Sequence, residues 1–268
     1  MTICNRMNKS REAYYKHMRK RTKQSIENHI VHELVMEQRT CMPRLGGKKL
    51  YILIGDQLKA HKLRIGRDKL FSWLRKHDLL IQPKRQHTRT TNSSHRFRVH
   101  QNLLKDQTVT QSDQAWVSDI TYLRLHKGFC YLALITDAYS RKIVGYHVNE
   151  TLELNGCIKA LQMACEQRRN KFDTIHHSDR GIQYCSNQYI EQLNNQGIKI
   201  SMAEAGNCYE NAMAERINGI LKDEFNLDIT FRNIEHARKT TIQSIKTYNT
   251  RRPHMSIEMK KPAELYAA

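Results

Sequence analysis

The sequence predicts an α/β protein: a mixed five-stranded sheet with flanking helices, preceded by an all-helical basic region that carries a helix-turn-helix. Three observations predict it. Charge is partitioned, because residues 1–112 hold 25 Lys and Arg against 8 Asp and Glu, whereas residues 113–268 hold 20 against 18. Apolar spacing changes near residue 115 from helical steps to strand-like alternation. In the second part three strand-like runs precede a helical pattern and two further strands, an order that gives a hairpin meander, a crossover and a parallel pair.

The helical region comes first. Ile26, Ile30 and Leu34 recur at four-residue steps, and KKLYILIGDQLKAH (48–61) leads through KLRIG into RDKLFSWLRKHDLL (67–80). Gly66 stands where a tight turn between two helices would want it, and the second helix of that pair carries Arg67, Lys69, Arg75 and Lys76. The stretch PKRQHTRTTNSSHRFRVH (83–100) is basic and too polar to bury a face, so it reads as an extended arm suited to phosphates. The strands follow: AWVSDITYLRL (115–125), FCYLALITDA (129–138) and KIVGYHV (142–148), with a turn at HKG between the first two. A helix over 152–169, a strand over FDTIHHS (172–178), a helix near 187–196, a strand over IKISMA (198–203) and a long helix from about Asn211 complete the order.

Composition excludes several classes. The formal charge of +19 calls for a polyanionic partner, nucleic acid first. No run of 18 apolar residues occurs and MTICNRMNKSREAYY lacks the apolar segment of a signal peptide, so a cytoplasmic protein without membrane association is expected. Seven scattered cysteines with no C-x-x-C pair suit reduced thiols, and they give no support to a zinc site built from Cys4, His29, His32 and Cys41.

The chemistry lies in the carboxylates. If the strand ending at Ser178 lies parallel to the strand beginning at Ala115, Asp119 and Asp179 become neighbours. Two adjacent carboxylates repel unless a cation sits between them, and an oxygen-only pair with open positions is what Mg²⁺ accepts. NCYENAMAERINGILKDEF (207–225) offers a third acid, because on a helix Glu215, Asn218, Gly219 and Lys222 fall on a face apart from the apolar stripe Met213, Ile217, Ile220 and Leu221. A solvent-facing helix with a weak charge pattern is the alternative reading of that segment. Asp137, in ITDAYSRK, reads as a turn residue with Arg141 nearby, and Glu204 and Glu210 read as exposed beside a Gly-Asn turn. Asp223 and Glu224 rotate away from Glu215, and of His176 and His177 only one can face the Asp179 side.

Five blocks together, WVSDITYL, YLALITDAYSRKIVGYHV, HHSDRGIQYCS, GNCYENAMAERINGILKDEF and YNTRRPHMSIEMKKPAELY, resemble the retroviral-integrase-like transposases of bacterial insertion sequences. They are most similar to the OrfB product of the group encoded in two overlapping frames. The resemblance spans about residues 44–268. Asp119 and Asp179 are separated by 59 residues and Asp179 and Glu215 by 35, the latter being the D-x35-E spacing of the superfamily, and Lys222 stands at its basic position seven past the glutamate. Ala203, Glu204 and Ala205 depart from the more basic stretch common there.

The resemblance implies an RNase H-like fold and a DDE triad of Asp119, Asp179 and Glu215 holding two Mg²⁺ ions, with Mn²⁺ as substitute and Asp119 bridging both. It implies nicking at the 3′ end of the element by water and then strand transfer by the freed 3′-hydroxyl. Partners would be double-stranded DNA, OrfA or a fusion with it, and further copies of the chain on DNA. Contacts to DNA are expected from Lys222, Arg67, Lys69, Arg251, Arg252 and His254. The expected organisation is a helical region over 1–82, a basic arm over 83–112, a catalytic core over 113–226, and a C-terminal helix and basic tail over 227–268. A non-catalytic DNA-binding regulator would explain the basic half and leave the three acids idle, and an RNase H-like nuclease would hydrolyse without joining.

Overall fold

The computed structural model describes residues 10–82, 98–105, 107–169, 173–204 and 211–268. The basic stretch 83–97 and Glu210 therefore lie outside the described residues. The chain divides into two compact units, Met1–Ile81 and Gln82–Ala268.

The first unit is helical. Helix α1 (Arg11–Cys41) starts at Ser10, whose hydroxyl accepts from Ala13 N at 3.1 Å, and α2 (Gly47–Ala60) and α3 (Arg67–Lys76) fold against its second half. Val31, Leu34 and Val35 of α1 form a core with Leu50, Ile54 and Leu58 of α2 and Leu70 and Leu74 of α3. The expected stripe is shifted, because Ile26 is 57% exposed. The reason is length: α1 has 31 residues against 14 and 10, so the two shorter helices, roughly 21 and 15 Å long, cannot cover it. Trp73 of α3 donates from Nε1 to Asn28 Oδ1 at 3.0 Å and ties α3 to α1.

The turn between α2 and α3 is made differently from the sequence expectation. Lys62, not Gly66, takes the left-handed conformation (φ 57°), while Lys62 N and Leu63 N bond back to the carbonyls of Lys59 and Leu58 and cap α2. Gly66 is extended and is the N-cap of α3.

The second unit is built on a mixed sheet of β1 (Ala115–Leu125), β2 (Phe129–Asp137), β3 (Ile143–Asn149), β4 (Ile175–Ser178) and β5 (Lys199–Met202) in the order β3-β2-β1-β4-β5. β1, β2 and β3 are antiparallel, and β4 lies parallel to β1. A sixth strand, β6 (Thr230–Phe231), pairs in parallel with Arg124 and Leu125 at the far end of β1, so the sheet has six strands rather than the expected five. Two residues are too few to display an alternating pattern.

Helix α4 (Leu154–Gln167) makes the crossover from β3 to β4, burying Gly156, Cys157, Ala160, Leu161 and Ala164. It lies so close to β3 that a Cβ on Gly145 would stand 2.1 Å from the Ala160 carbonyl oxygen. Short α5 (Ile182–Cys185), α6 (Asn187–Asn195), α7 (Ala212–Glu224), α8 (Ile234–Thr250) and α9 (Pro262–Ala267) complete the unit. Asp137 is a turn residue as expected, although its carboxylate accepts from Ser140 and from the backbone of Asp113. Asp113 in turn accepts from Trp116 Nε1 and the Tyr266 hydroxyl.

The segment YNTRRPH is a clamp. Asn249 bonds both backbone groups of Ile143 at 2.9 Å, and Tyr248 donates to the Arg141 carbonyl. Arg252 meets Glu224, the last residue of α7, through two bonds of 2.8 and 2.9 Å, with only 3% of its side chain exposed. The expectation that Arg252 and His254 touch DNA is thus corrected: both are buried, Arg252 because it neutralises Glu224 and His254 because it packs behind Tyr248 and bonds Ser256. Arg251 is exposed.

Breaking a buried pair strands one charge. Arg252→Ala should therefore cost about 3–5 kcal/mol in urea unfolding, with most of the loss recovered when Glu224→Leu accompanies Arg252→Met.

Candidate active site

Register builds the site. β1 and β4 pair residue for residue up to Ser118 opposite Ser178, so Asp119 and Asp179, one step further on each, emerge side by side. Asp119 Oδ2 accepts from Asn218 Nδ2 at 2.8 Å and Oδ1 from Ile120 N at 2.9 Å. Burial, reinforced by the Asp179 charge and less by Glu215, pushes the Asp119 carboxyl up to about 7, against the pull of those two hydrogen bonds. Asp179, half-buried, accepts from Gly181 N at 3.0 Å, and a Cβ on Gly181 would press on that same carboxylate oxygen.

Helix α7 brings the third acid. Its apolar side buries Ala214, Ile217, Ile220 and Leu221, which turns Asn218 toward β1 and leaves Glu215 exposed. Among the described residues, no three His, Cys, Asp or Glu side chains stand close enough together to enclose a metal ion. The Asp119–Asp179 pair is thus formed, and Glu215 is near enough to be felt by Asp119 without joining it. Lys222 folds over the Tyr122 ring, with Nζ 4.3 Å from the centroid; burial lowers its pKa, and the charges of Asp119 and Asp228 oppose that. The cluster suits a cation in its chemistry. Its donors are oxygens, its central carboxylate is poorly ionised alone, and Asn218 Oδ1, buried, has no hydrogen-bond donor among the described residues.

The remaining residues sort by position. His176 Nε2 is bonded to Ser118 Oγ at 2.7 Å and to the Tyr189 hydroxyl at 3.0 Å, and burial takes its pKa down to about 3. His177 Nδ1 meets Ser201 Oγ at 2.8 Å. Arg180 donates to the Ala203 carbonyl at 2.8 Å, which fastens the loop after Asp179 to the end of β5. In the helical unit, Arg67 and Lys69 are exposed on α3, Arg67 bonding Asp68. The sequence places Asn218 on the Glu215 face but gives it no role. Its position three residues past Glu215 was the available signal, whereas nothing announced Tyr122 as the seat of Lys222.

Two models of the integrase core domain match the chain, over residues 109–208 and 196–262. A relative from Shigella sonnei, the insertion element IS600 uncharacterized 31 kDa protein, is 36% identical over 97% of this chain and 96% of its own length. The transposase InsF for insertion sequence IS3A of Escherichia coli (strain K12) is 30% identical over 94% of this chain and 88% of its own. The chain belongs to the insertion-sequence transposases of the DDE integrase superfamily. Its RNase H-like fold is shared with the solved simian T-cell lymphotropic virus intasome in complex with PP2A regulatory subunit B56 gamma, at a TM-score of 0.50 and 16% identity over 83% of this chain and 75% of that one. As a transposase the chain is a polynucleotidyl transferase, and no helix among its described residues is long and apolar enough to cross a membrane.

The raised Asp119 pKa has a sign that can be tested in this transposase. Because the folded chain holds that proton more tightly than the unfolded one, stability falls as pH rises from about 4 toward 7. In the presence of a chelator, Asp119→Asn should therefore melt above wild type at pH 8, by up to ~4 kcal/mol, and the gap should close near pH 4.

Proposed function

We propose that Asp119, Asp179 and Glu215 are the catalytic carboxylates with which this transposase cuts DNA at the 3′ ends of its element and joins those ends to target DNA. The observation that carries the reading is the adjacency of the half-buried Asp119 and Asp179, in which the Asp119 carboxyl, raised to about 7, is not fully ionised at neutral pH without a cation. Two divalent ions, Mg²⁺ or Mn²⁺, held by Asp119, Asp179 and Glu215, would supply charge for the attacking and leaving oxygens of an in-line displacement. Asn218 and Ile120 N fix the Asp119 carboxylate, Gly181 N fixes that of Asp179, and Glu215, exposed in the first turn of α7, would swing inward by a rotamer change to complete the site.

In the first reaction water attacks the phosphorus at the element's end, the P–O3′ bond breaks, and a 3′-hydroxyl remains on the element. In the second that hydroxyl attacks a target phosphodiester and displaces a target 3′-hydroxyl. Lys222, released from Tyr122, holds a phosphate beside the carboxylates, while Arg251, Arg67, Lys69 and the basic arm contact further phosphates. The working form is an assembly of several copies on DNA.

Cleavage and joining of end-bearing duplex should be assayed with Mg²⁺ beside a gel-shift measurement of binding. Asp119→Asn, Asp179→Asn and Glu215→Gln should each drop both reactions to the uncatalysed background and leave binding intact. A Glu215→Gln protein cleaving at the wild-type rate would overturn the assignment, and cleavage without joining in the wild type would make the chain a nuclease.

The chain has no run of three heptads with apolar a and d residues, so specificity for the element's ends is assigned to a fused OrfA segment. At fixed near-physiological salt, an OrfA fusion should prefer terminal-repeat DNA over scrambled DNA of equal length more strongly than the isolated chain does. Equal strong preference by both would refute that division of labour.

A further inference from the structure

The exposed half of α1 carries a charge pattern that helix packing does not explain. Between residues 16 and 23 stand Lys16, Arg19, Lys20, Arg21 and Lys23 with no acid among them, the nearest being Glu12 and Glu27. All five are exposed. At 100° per residue, Lys16, Arg19, Lys20 and Lys23 fall within an arc of about 100°. Lys16–Arg19, Lys16–Lys20, Arg19–Lys23 and Lys20–Lys23 are like-charged i,i+3 and i,i+4 pairs, which weaken an isolated helix, and Glu12 and Glu27 stand at i,i+4 spacing only from the two ends of the run, Lys16 and Lys23. Among the described residues no ion pair relieves them.

A second observation gives this face a shape. Arg19 and Lys23 share a cleft of about 650 Å³ with His61 and Lys62, the turn that leads from α2 toward α3, over a floor that includes Met18 and Ile26; Glu27 is the one acid on its lining. Cations from two separate segments thus line one groove, and Arg67, which opens α3, follows Lys62 by five residues.

We propose that this cleft grips the phosphate backbone of duplex DNA, with α1 clamping the strand that flanks the groove entered by α3. The proposal rests on the DNA-binding reading above and adds a surface to it. Charge decides the occupant: a second copy would bring five more cations against these five, whereas a duplex offers about six negative charges over the ~10 Å from Lys16 to Lys23. Phosphate contacts made here set the position of α3 and carry no sequence information themselves.

The test is the salt dependence of duplex binding by the full chain. Arg19→Gln with Lys23→Gln keeps helix propensity, and should flatten the slope of log affinity against log salt by about 1.8, equally for element-end and scrambled duplex. Backbone amides of residues 16–23 should gain protection from hydrogen exchange when duplex is added. An unchanged slope without that protection, or equal flattening by Lys239→Gln with Lys246→Gln on α8, would overturn the proposal. So would a dimer, seen by sedimentation, that Met18→Gln with Ile26→Gln abolishes while the double Gln variant leaves DNA binding untouched. Absence of any salt-dependent duplex binding by the unmodified chain would instead sink the DNA-binding reading on which it stands.

Discussion

The parallel pairing of β1 with β4 is the constraint on which the rest of this molecule depends. Four consecutive register pairs end at Ser118 and Ser178, and the first residues beyond them are both aspartates. A slip of one residue would turn every side chain of β4 to the other face and separate the two acids. What holds the register is a buried polar link, the Ser118–His176–Tyr189 contact, with His176 kept neutral by its surroundings. Close packing of α4 over Gly145 fixes the crossover that makes the pairing parallel. The two aspartates are therefore positioned by residues buried in the fold, Ser118, His176 and Tyr189.

The third acid depends on a different device. Helix α7 carries Glu215, Asn218 and Lys222 on one side, and its last residue, Glu224, is locked by Arg252 from beyond α8. Asn218 fastens the middle of the helix to Asp119. One end of α7 and its centre are thus tied down, whereas Glu215 in its first turn is exposed and has no hydrogen bond or ion pair among the described residues. Such an arrangement lets a carboxylate move by rotamer change alone, without displacing the helix that presents it.

Much of this was legible in the chain. Alternation in AWVSDITYLRL, the helix over 152–169 and the handedness of crossovers sufficed to place Asp119 beside Asp179. Other features depend on partners remote in sequence. The charge of Arg252 reads as a phosphate contact until Glu224, 28 residues earlier, is seen to occupy it. Likewise Gly66 looks like the turn residue, yet the C-cap of α2 places the left-handed backbone at Lys62. β6 is invisible because its pairing is set by the length of β1 and not by its own residues. Propensity and periodicity report on neighbours along the chain, and these exceptions were decided across it.

The bond between Asn249 and Ile143 has a consequence for solubility. β3 is an outer strand of the sheet, and an outer strand offers unpaired N–H and C=O groups to any other extended chain. Asn249 occupies both groups of Ile143 with a side-chain amide that imitates a peptide unit and cannot be extended into another strand. Helix α8 therefore acts as a guard on an edge that would otherwise invite strand addition between molecules. Occupying that edge position removes one route to unordered assembly between molecules.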